Sequence, residues 1–130
     1  MPLQLQSPPS APWLAGISIE AGGTLSDCIF CKIVAGEIPS ERVGENEGAI
    51  AFRDINPEAP VHLLVVPKLH SKNIIELSQN EESMSRVMEL MREVSERETN
   101  GHFKFLFNTG EEAGQTVFHA HGHILSQGAS

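Results

Sequence analysis

Three of the six histidines of this 130-residue chain fall within five positions, His119-Ala120-His121-Gly122-His123. Side chains of an extended strand alternate between its faces. This spacing therefore puts the three imidazoles on one face, with Ala120 and Gly122 on the other, which must be closely packed. Three chemistries use such a row. The first is a shared metal ion, but a rise of about 3.3 Å per residue would hold His119 and His123 roughly 13 Å apart, and metal–nitrogen bonds are only about 2.0–2.1 Å. Two neighbours can share an ion; all three would need a sharply bent strand. The second is structural, each ring satisfied by hydrogen bonds in the core, which is costly to arrange three times in register. The third is catalysis. A neutral imidazole near pH 7 is both a nucleophile and an acid–base group, and a row of them can attack, orient and donate protons along one bound phosphate. The two cysteines, Cys28 and Cys31, form a C-x-x-C pair. That spacing points to a metal site or a redox pair rather than a structural disulfide. No thioredoxin-like strand–helix context surrounds it, and two thiols packing as small hydrophobes is the bland alternative. Zinc would require two further ligands, which neutral histidine supplies well.

The elements that must carry these groups are legible in the pattern. Asp27 is placed to cap a short helix over Cys28–Ala35, and Gly36 to end it. Arg42-Val43 and Ala49–Phe52 flank Glu45-Asn46-Glu47-Gly48 as a hairpin. Asn56–Pro60 is a loop by its prolines, and His62–Val66 is a buried-strand run stopped by Pro67. A long helix is predicted from Gln79 to about Glu98, opened by a Ser78/Glu81 capping box, with a buried stripe of Met84, Val87, Met88, Met91 and Val94. Phe103–Phe107 alternates like a strand, Gly110–Gly114 is a loop able to bring N–H groups to an anion, and Val117–Leu125 is a final strand. The order implies an α+β domain. It has one mainly antiparallel sheet of about five strands, a short N-terminal helix and one long helix. Residues 1–25, rich in Pro, Ser, Gly and Ala and containing Trp13, read as a flexible leader to a domain over 26–130.

Composition narrows the function classes. A hydrophobic content of 40% is enough for a single modest core. The net charge of −8 opposes a nucleic-acid surface, which needs clustered Lys and Arg. One small anion can still be held by backbone N–H groups and a few imidazoles. No apolar run of about 20 residues exists, so no membrane span is expected. No Lys or Arg precedes Lys32, so neither a secretory signal nor a transit peptide fits, and a cytoplasmic location is expected.

The segment Gly114-Gln115-Thr116-Val117-Phe118-His119-Ala120-His121-Gly122-His123-Ile124-Leu125 resembles the signature of the histidine triad family, H-φ-H-φ-H-φ-φ with φ apolar. Cys28-Ile29-Phe30-Cys31-Lys32-Ile33 with Gly36-Glu37-Ile38-Pro39, then Phe52-Arg53-Asp54-Ile55 and His62–His70, resemble the rest of that family in order and spacing, over about residues 27–125. The similarity is to its nucleotide-binding, purine nucleoside phosphoramidase-like branch. It implies a hydrolase or transferase that releases a nucleoside monophosphate through a nucleotidyl-histidine intermediate on a purine nucleotide such as AMP or GMP.

It also implies roles for individual residues. His121 would attack phosphorus, His123 would stabilise the charge developing there, and His119 and His62 would complete the catalytic set. Asn108, Gly114, Gln115 and Thr116 would hold phosphate oxygens or the leaving group. Asp54 would bind the two ribose hydroxyls, since a carboxylate accepts two hydrogen bonds; a turn cap before Asn56-Pro57 is the equal alternative. Phe30, Ile33, Ile38, Phe52 and Ile55 would form the slot for the base. Bacterial members and the related galactose-1-phosphate uridylyltransferases imply zinc on Cys28, Cys31, His70 and His119, which would make His119 structural. His102 matches nothing and reads as solvated.

Two departures accompany the resemblance. Gly122 stands where the family has a bulkier apolar residue, which by the general cost of glycine would loosen the strand by about 0.5–1 kcal/mol. The sequence ends at Ser130, short of the tryptophan-bearing tail that related phosphoramidases often place near the leaving group. Sheet edges and the methionine stripe leave apolar surface to cover, and related proteins cover it as homodimers, so Met84, Met88 or Met91 is expected near a dimer interface. A nucleotide sensor or scaffold with little turnover, or a zinc-binding interaction module, is the alternative function.

Overall fold

In the computed structural model, which describes residues 28–130, the chain runs α1 (Ile29–Val34), β1 (Arg42–Glu45), β2 (Ala49–Arg53), β3 (Val61–Pro67), α2 (Ile74–Ser78), α3 (Glu81–Glu98), β4 (Lys104–Leu106), a single 3-10 turn (Glu111–Ala113) and β5 (Gly122–Ser126). The strands form one sheet in the order β1-β2-β3-β5-β4, and every neighbouring pair is antiparallel. The α+β class and the five-stranded sheet agree with the reading of the sequence.

All seven residues of β3 are buried, because helices cover the sheet on both faces. On one face Leu63 and Val65 pack with Ala49, Ala51, Ile124 and the α3 residues Val87, Leu90 and Val94. On the other, Leu64 and Val66 pack with Ile50, Phe52 and the α1 residues Phe30 and Ile33. This explains why β3 reads as a continuous apolar run rather than an alternating one. His62 is the exception in that run. It shares the α1 face with Leu64, and Leu64 stands opposite His123 in the β3–β5 ladder. Residues directly opposite share a face, so the register makes His62 and His123 diagonal neighbours.

Several local expectations are corrected. The predicted helix start at Gln79 with a Ser78/Glu81 capping box does not form. Ser78 ends the separate helix α2, and its hydroxyl donates back to the Ile75 carbonyl at 2.7 Å. Asn80 caps α3 instead, its side chain accepting from the Ser83 N–H at 3.0 Å. The buried stripe of α3 is Ser83, Val87, Leu90, Val94 and Ser95; Met84 and Met91 pack partly against it, and Met88 lies 43% exposed. The stripe therefore turns about one residue away from the methionines. Helix α1 is capped by Cys28 itself, whose sulfur accepts from the Cys31 N–H; Asp27 and the leader with Trp13 lie outside the described residues.

At Gly122 two aromatic rings take the place of a side chain. A Cβ there would stand 2.3 Å from the Phe105 ring and 3.0 Å from that of Phe107. The missing side chain is the space into which the two aromatic rings of the β4 region pack, 5.3 Å apart edge to face. No helix among the described residues is long and apolar enough to cross a membrane.

Candidate active site and metal centre

The largest departure from the sequence reading lies in the histidine segment. Strand β5 begins only at Gly122, and residues 117–119 bend. The Ala120 N–H is drawn out of the ladder to the Ser71 carbonyl at 2.6 Å. The bend separates the three histidines, so that His119 joins the cysteines while His121 and His123 stay together.

Helix α1 presents Cys28 and Cys31 one turn apart. His70 comes from the turn after β3, and His119 from the bent segment. Cys28 Sγ lies 3.2 Å and Cys31 Sγ 3.5 Å from His119 Nδ1, and Cys31 Sγ lies 3.4 Å from His70 Nδ1. These four residues lie close enough together to bind one metal ion. The ring orientation suits that use. His119 Nε2 donates to the Pro67 carbonyl at 2.8 Å, which leaves the Nδ1 lone pair facing the sulfurs. The two thiols share their titration. The hydrogen bond from Cys31, aided by the His119 and His70 rings, pulls Cys28 down. The same bond, seen from the other side, together with burial pushes Cys31 up. One thiolate is thus stabilised beside one thiol, which is a poised soft donor pair.

The second group is His121, His123, His62 and Asp54, and its tautomers follow from the hydrogen bonds. His121 Nδ1 lies 2.8 Å from the His119 carbonyl, which can only accept, so Nδ1 carries the proton and Nε2 the lone pair. Burial pulls His121 down to about 4, against the opposing pull of that carbonyl; Phe30, edge-on at 4.9 Å, is part of the burial. His62 Nδ1 accepts from the Glu58 N–H at 3.0 Å, which puts the His62 proton on Nε2. That N–H lies 3.0 Å from His123 Nδ1 and 3.3 Å from Asp54 Oδ2. His123 Nδ1 therefore accepts, and its proton is on Nε2.

His123 Nε2 is buried and has no hydrogen-bond partner among the described residues. Burial first, then the neighbouring His121 and His62, pull His123 down to about 3. The two rings are 4.9 Å apart. A lone pair on one and a partnerless N–H on the other thus sit side by side. Asp54, His62 and His123 also have ligand atoms within metal-binding reach of one another. A metal at His62 Nε2 would displace the proton to Nδ1, where the Glu58 N–H already points, so this cluster is a hydrogen-bonded relay.

The other expected site residues separate clearly. Phe30, Ile33 and Phe52 form an apolar wall beneath the histidines, with Ile38 partly buried against it. Ile55 does not join them; it is 86% exposed in the turn after β2. Asp54 serves as the turn cap, Oδ1 accepting from the Asn56 N–H at 2.8 Å, while Oδ2 faces His62. Asn108 lies beside Gly114, its amide 3.6 Å from where a Gly114 Cβ would be. Thr116 is exposed, and Gln115 is buried with its amide turned into the protein. His102 is exposed, as expected. The groups that sequence reasoning missed are backbone ones: the carbonyls of Pro67 and His119 and the N–H of Glu58. No residue type signals them.

This bent histidine segment on a five-stranded antiparallel sheet belongs to a known class. Residues 35–129 match the HIT domain family, and the chain belongs to it. It is 41% identical over 104 residues to Protein HitA of Neisseria gonorrhoeae, covering 78% of this chain and 96% of that protein. It is 33% identical over 102 residues to the purine nucleoside phosphoramidase of Escherichia coli K12, covering 76% of this chain and 86% of that enzyme. A HIT family hydrolase from Clostridium thermocellum superposes with a TM-score of 0.73 at 41% identity, over 78% of this chain and 91% of its own.

Proposed function

We propose that the protein is a nucleotide-binding hydrolase that cleaves nucleoside phosphoramidates, or related nucleoside 5′-phosphate derivatives, in two displacements at His121. The observation that carries this is the paired state of the rings: the lone pair on buried His121 Nε2 beside the partnerless N–H of His123. In the first step His121 Nε2 forms a bond to phosphorus, and the bond from phosphorus to the leaving amine breaks. The amine departs with that electron pair and takes up a proton. The His119 carbonyl, already bonded to Nδ1–H, faces the positive charge the ring acquires. The His123 N–H donates to a phosphoryl oxygen as negative charge builds on it. In the second step water attacks phosphorus and gives up a proton to solvent, the nitrogen–phosphorus bond breaks with its electron pair returning to His121 Nε2, and the monophosphate leaves with His121 restored. Splitting the transfer in this way lets one side chain serve both halves.

The purine preference rests on the similarity to the purine nucleoside phosphoramidase and on the wall of Phe30, Ile33 and Phe52. Asp54 Oδ2 would accept from the ribose hydroxyls. Cys28, Cys31, His70 and His119 would hold zinc. A tetrahedron of Zn–S and Zn–N bonds of about 2.0–2.3 Å spaces its ligands roughly 3.5 Å apart, close to the separations of 3.2–3.5 Å here. Bound zinc would supply rigidity at His119, and cysteines free of a disulfide suit a cytoplasmic location. A symmetric homodimer would cover the outer face of α3, where Met88, Met91 and Phe103 line a shallow groove. Light scattering at micromolar concentration should give twice the monomer mass; the monomer mass would rule the dimer out.

The test of the activity is incubation with adenosine phosphoramidate, following AMP release and searching acid-quenched protein for a nucleotidylated peptide by mass spectrometry. AMP release with the adduct on the peptide containing His121 is expected. No release, or an adduct elsewhere, overturns the reading.

A further inference from the structure

Gln115 has one of the most fully enclosed polar side chains of the protein, at 1% exposure. Every function of its amide is used on backbone. Oε1 accepts from the Gly110 N–H at 2.9 Å, while Nε2 donates to the Lys72 carbonyl at 2.7 Å and to the Val117 carbonyl at 3.1 Å. The orientation is forced, since a flipped amide would set its oxygen against two carbonyls and its nitrogen against an N–H. Its own backbone N–H closes on the Gly110 carbonyl at 3.0 Å. Residue 115 therefore holds both polar groups of Gly110, which sits at φ +89°, and fixes the mouth of the loop that ends at Gly114, at φ +97°.

The same amide ties that loop to two further places. Lys72 is next to Ser71, whose carbonyl holds Ala120 between His119 and His121. Val117 lies on the other side of Thr116. The backbone flanking Thr116 is thus tied on both sides, and the loop is locked to the turn that bends the histidine segment. Isolated turns of this kind, with a glycine in the left-handed region at each end, have many accessible conformations. A buried three-way clamp removes that freedom, and an unsatisfied buried donor is the penalty for cutting it.

We infer that Gln115 is a positioning residue that sets the Gly110–Thr116 loop against the phosphoryl group, without touching substrate itself. The inference rests on the proposed phosphoryl chemistry. It departs from the expectation that Gln115 binds substrate directly, because no polar atom of its side chain is left to do so. A loop displaced by a fraction of an ångström loses contacts that matter most as charge develops on phosphorus. Of the three residues that the clamp reaches, Gly110 and Lys72 lie outside the apolar cluster of Phe30, Ile33 and Phe52, and Val117 packs into it by its side chain while its carbonyl meets Gln115.

The test compares wild type with Gln115→Met, which keeps the length but not the hydrogen bonds, and Gln115→Glu, which keeps the acceptor toward Gly110 but sets a second oxygen against the Lys72 and Val117 carbonyls. Both are measured well below their melting temperatures. With adenosine phosphoramidate, kcat is expected to fall about 10- to 100-fold while KM changes less than about threefold. Affinity for AMP is expected to fall while affinity for adenosine, which has no phosphate, stays the same. A loss of general stability would not change that ratio. If one variant does not fold, the other carries the comparison.

An unchanged AMP-to-adenosine ratio and an unchanged kcat in the folded variants overturn the inference and leave the proposed activity standing. Wild type that neither binds AMP nor releases it from the phosphoramidate overturns both.

Discussion

The two faces of the sheet are built from alternate residues of the same strands, yet they are chemically opposite. Toward α3 the centre of the sheet is apolar: Ala49, Ala51, Leu63, Val65 and Ile124 meet Val87, Leu90 and Val94, and polar partners enter only at the ends, as the Arg53–Glu98 ion pair and the Ser126 hydroxyl on the His102 carbonyl. Toward α1 the same strands carry His62 and His123, and the segment leading into β5 adds His119 and His121 above Phe30, Ile33 and Phe52. One face can be varied by volume alone. The other must match donors to acceptors one by one. The difference suggests that stability and chemistry are separable here, and substitutions on each face can test how far.

The largest effect is expected on the α1 face. His121→Ala should reduce turnover of adenosine phosphoramidate by about 10⁴-fold or more, while AMP binding and the melting temperature stay near wild type. Turnover at an undiminished rate would falsify the role of His121. The combined Cys28→Ser and Cys31→Ser change should follow in size. Protein purified without added zinc is expected to hold about one ion per chain, and the double variant none, with a lower melting temperature because metal binding is linked to folding. Full occupancy in the double variant would remove these cysteines from the metal centre.

On the α3 face, Leu90→Ala empties a site that is 1% exposed. A loss of about 2–5 kcal/mol in denaturant unfolding is expected, with kcat unchanged at temperatures where the variant is folded. A parallel fall in kcat would show that the faces are coupled. Gly122→Ala crosses the divide, since it sits between two histidines but faces Phe105. Overpacking should cost about 1–3 kcal/mol, and neutral behaviour would mean that the Phe105 ring moves aside freely.

The last comparison concerns pH. His123 is held down to about 3 in the folded protein, below the usual value of about 6.5 for an unfolded histidine. Between these values the unfolded chain binds more protons, so the stabilisation is complete above pH 6.5 and is lost as the pH falls toward 3. The difference in melting temperature between wild type and His123→Gln, at equal metal content, should therefore become less favourable to wild type from pH 7 to pH 4. A constant difference would mean that His123 is protonated at its ordinary pH.

Much of this was written locally. The β3 run, the Asn46–Gly48 hairpin and the alternating Phe103–Phe107 segment depend on neighbours two or three residues away, and they appear near their expected places. The boundary between α2 and α3 is ambiguous in the sequence because Ser78 and Asn80 are both good caps, and the packing of Leu77 into the core decides between them. The α3 stripe is ambiguous in the same way, as Met and Leu are interchangeable to a periodicity.

The sequence by itself determined the α+β order, the family motifs and the identities of the histidines and cysteines available for chemistry. Only the tertiary structure decided how those histidines divide. One hydrogen bond from Ala120 to Ser71, between residues 49 positions apart in the chain, bends the triad and sends His119 to the cysteines. Backbone groups of Pro67, His119 and Glu58 then fix which nitrogen of each ring holds its proton. Every residue has such a carbonyl, and every residue but proline such an N–H, so their placement is invisible in the letters and exists only once the chain is folded.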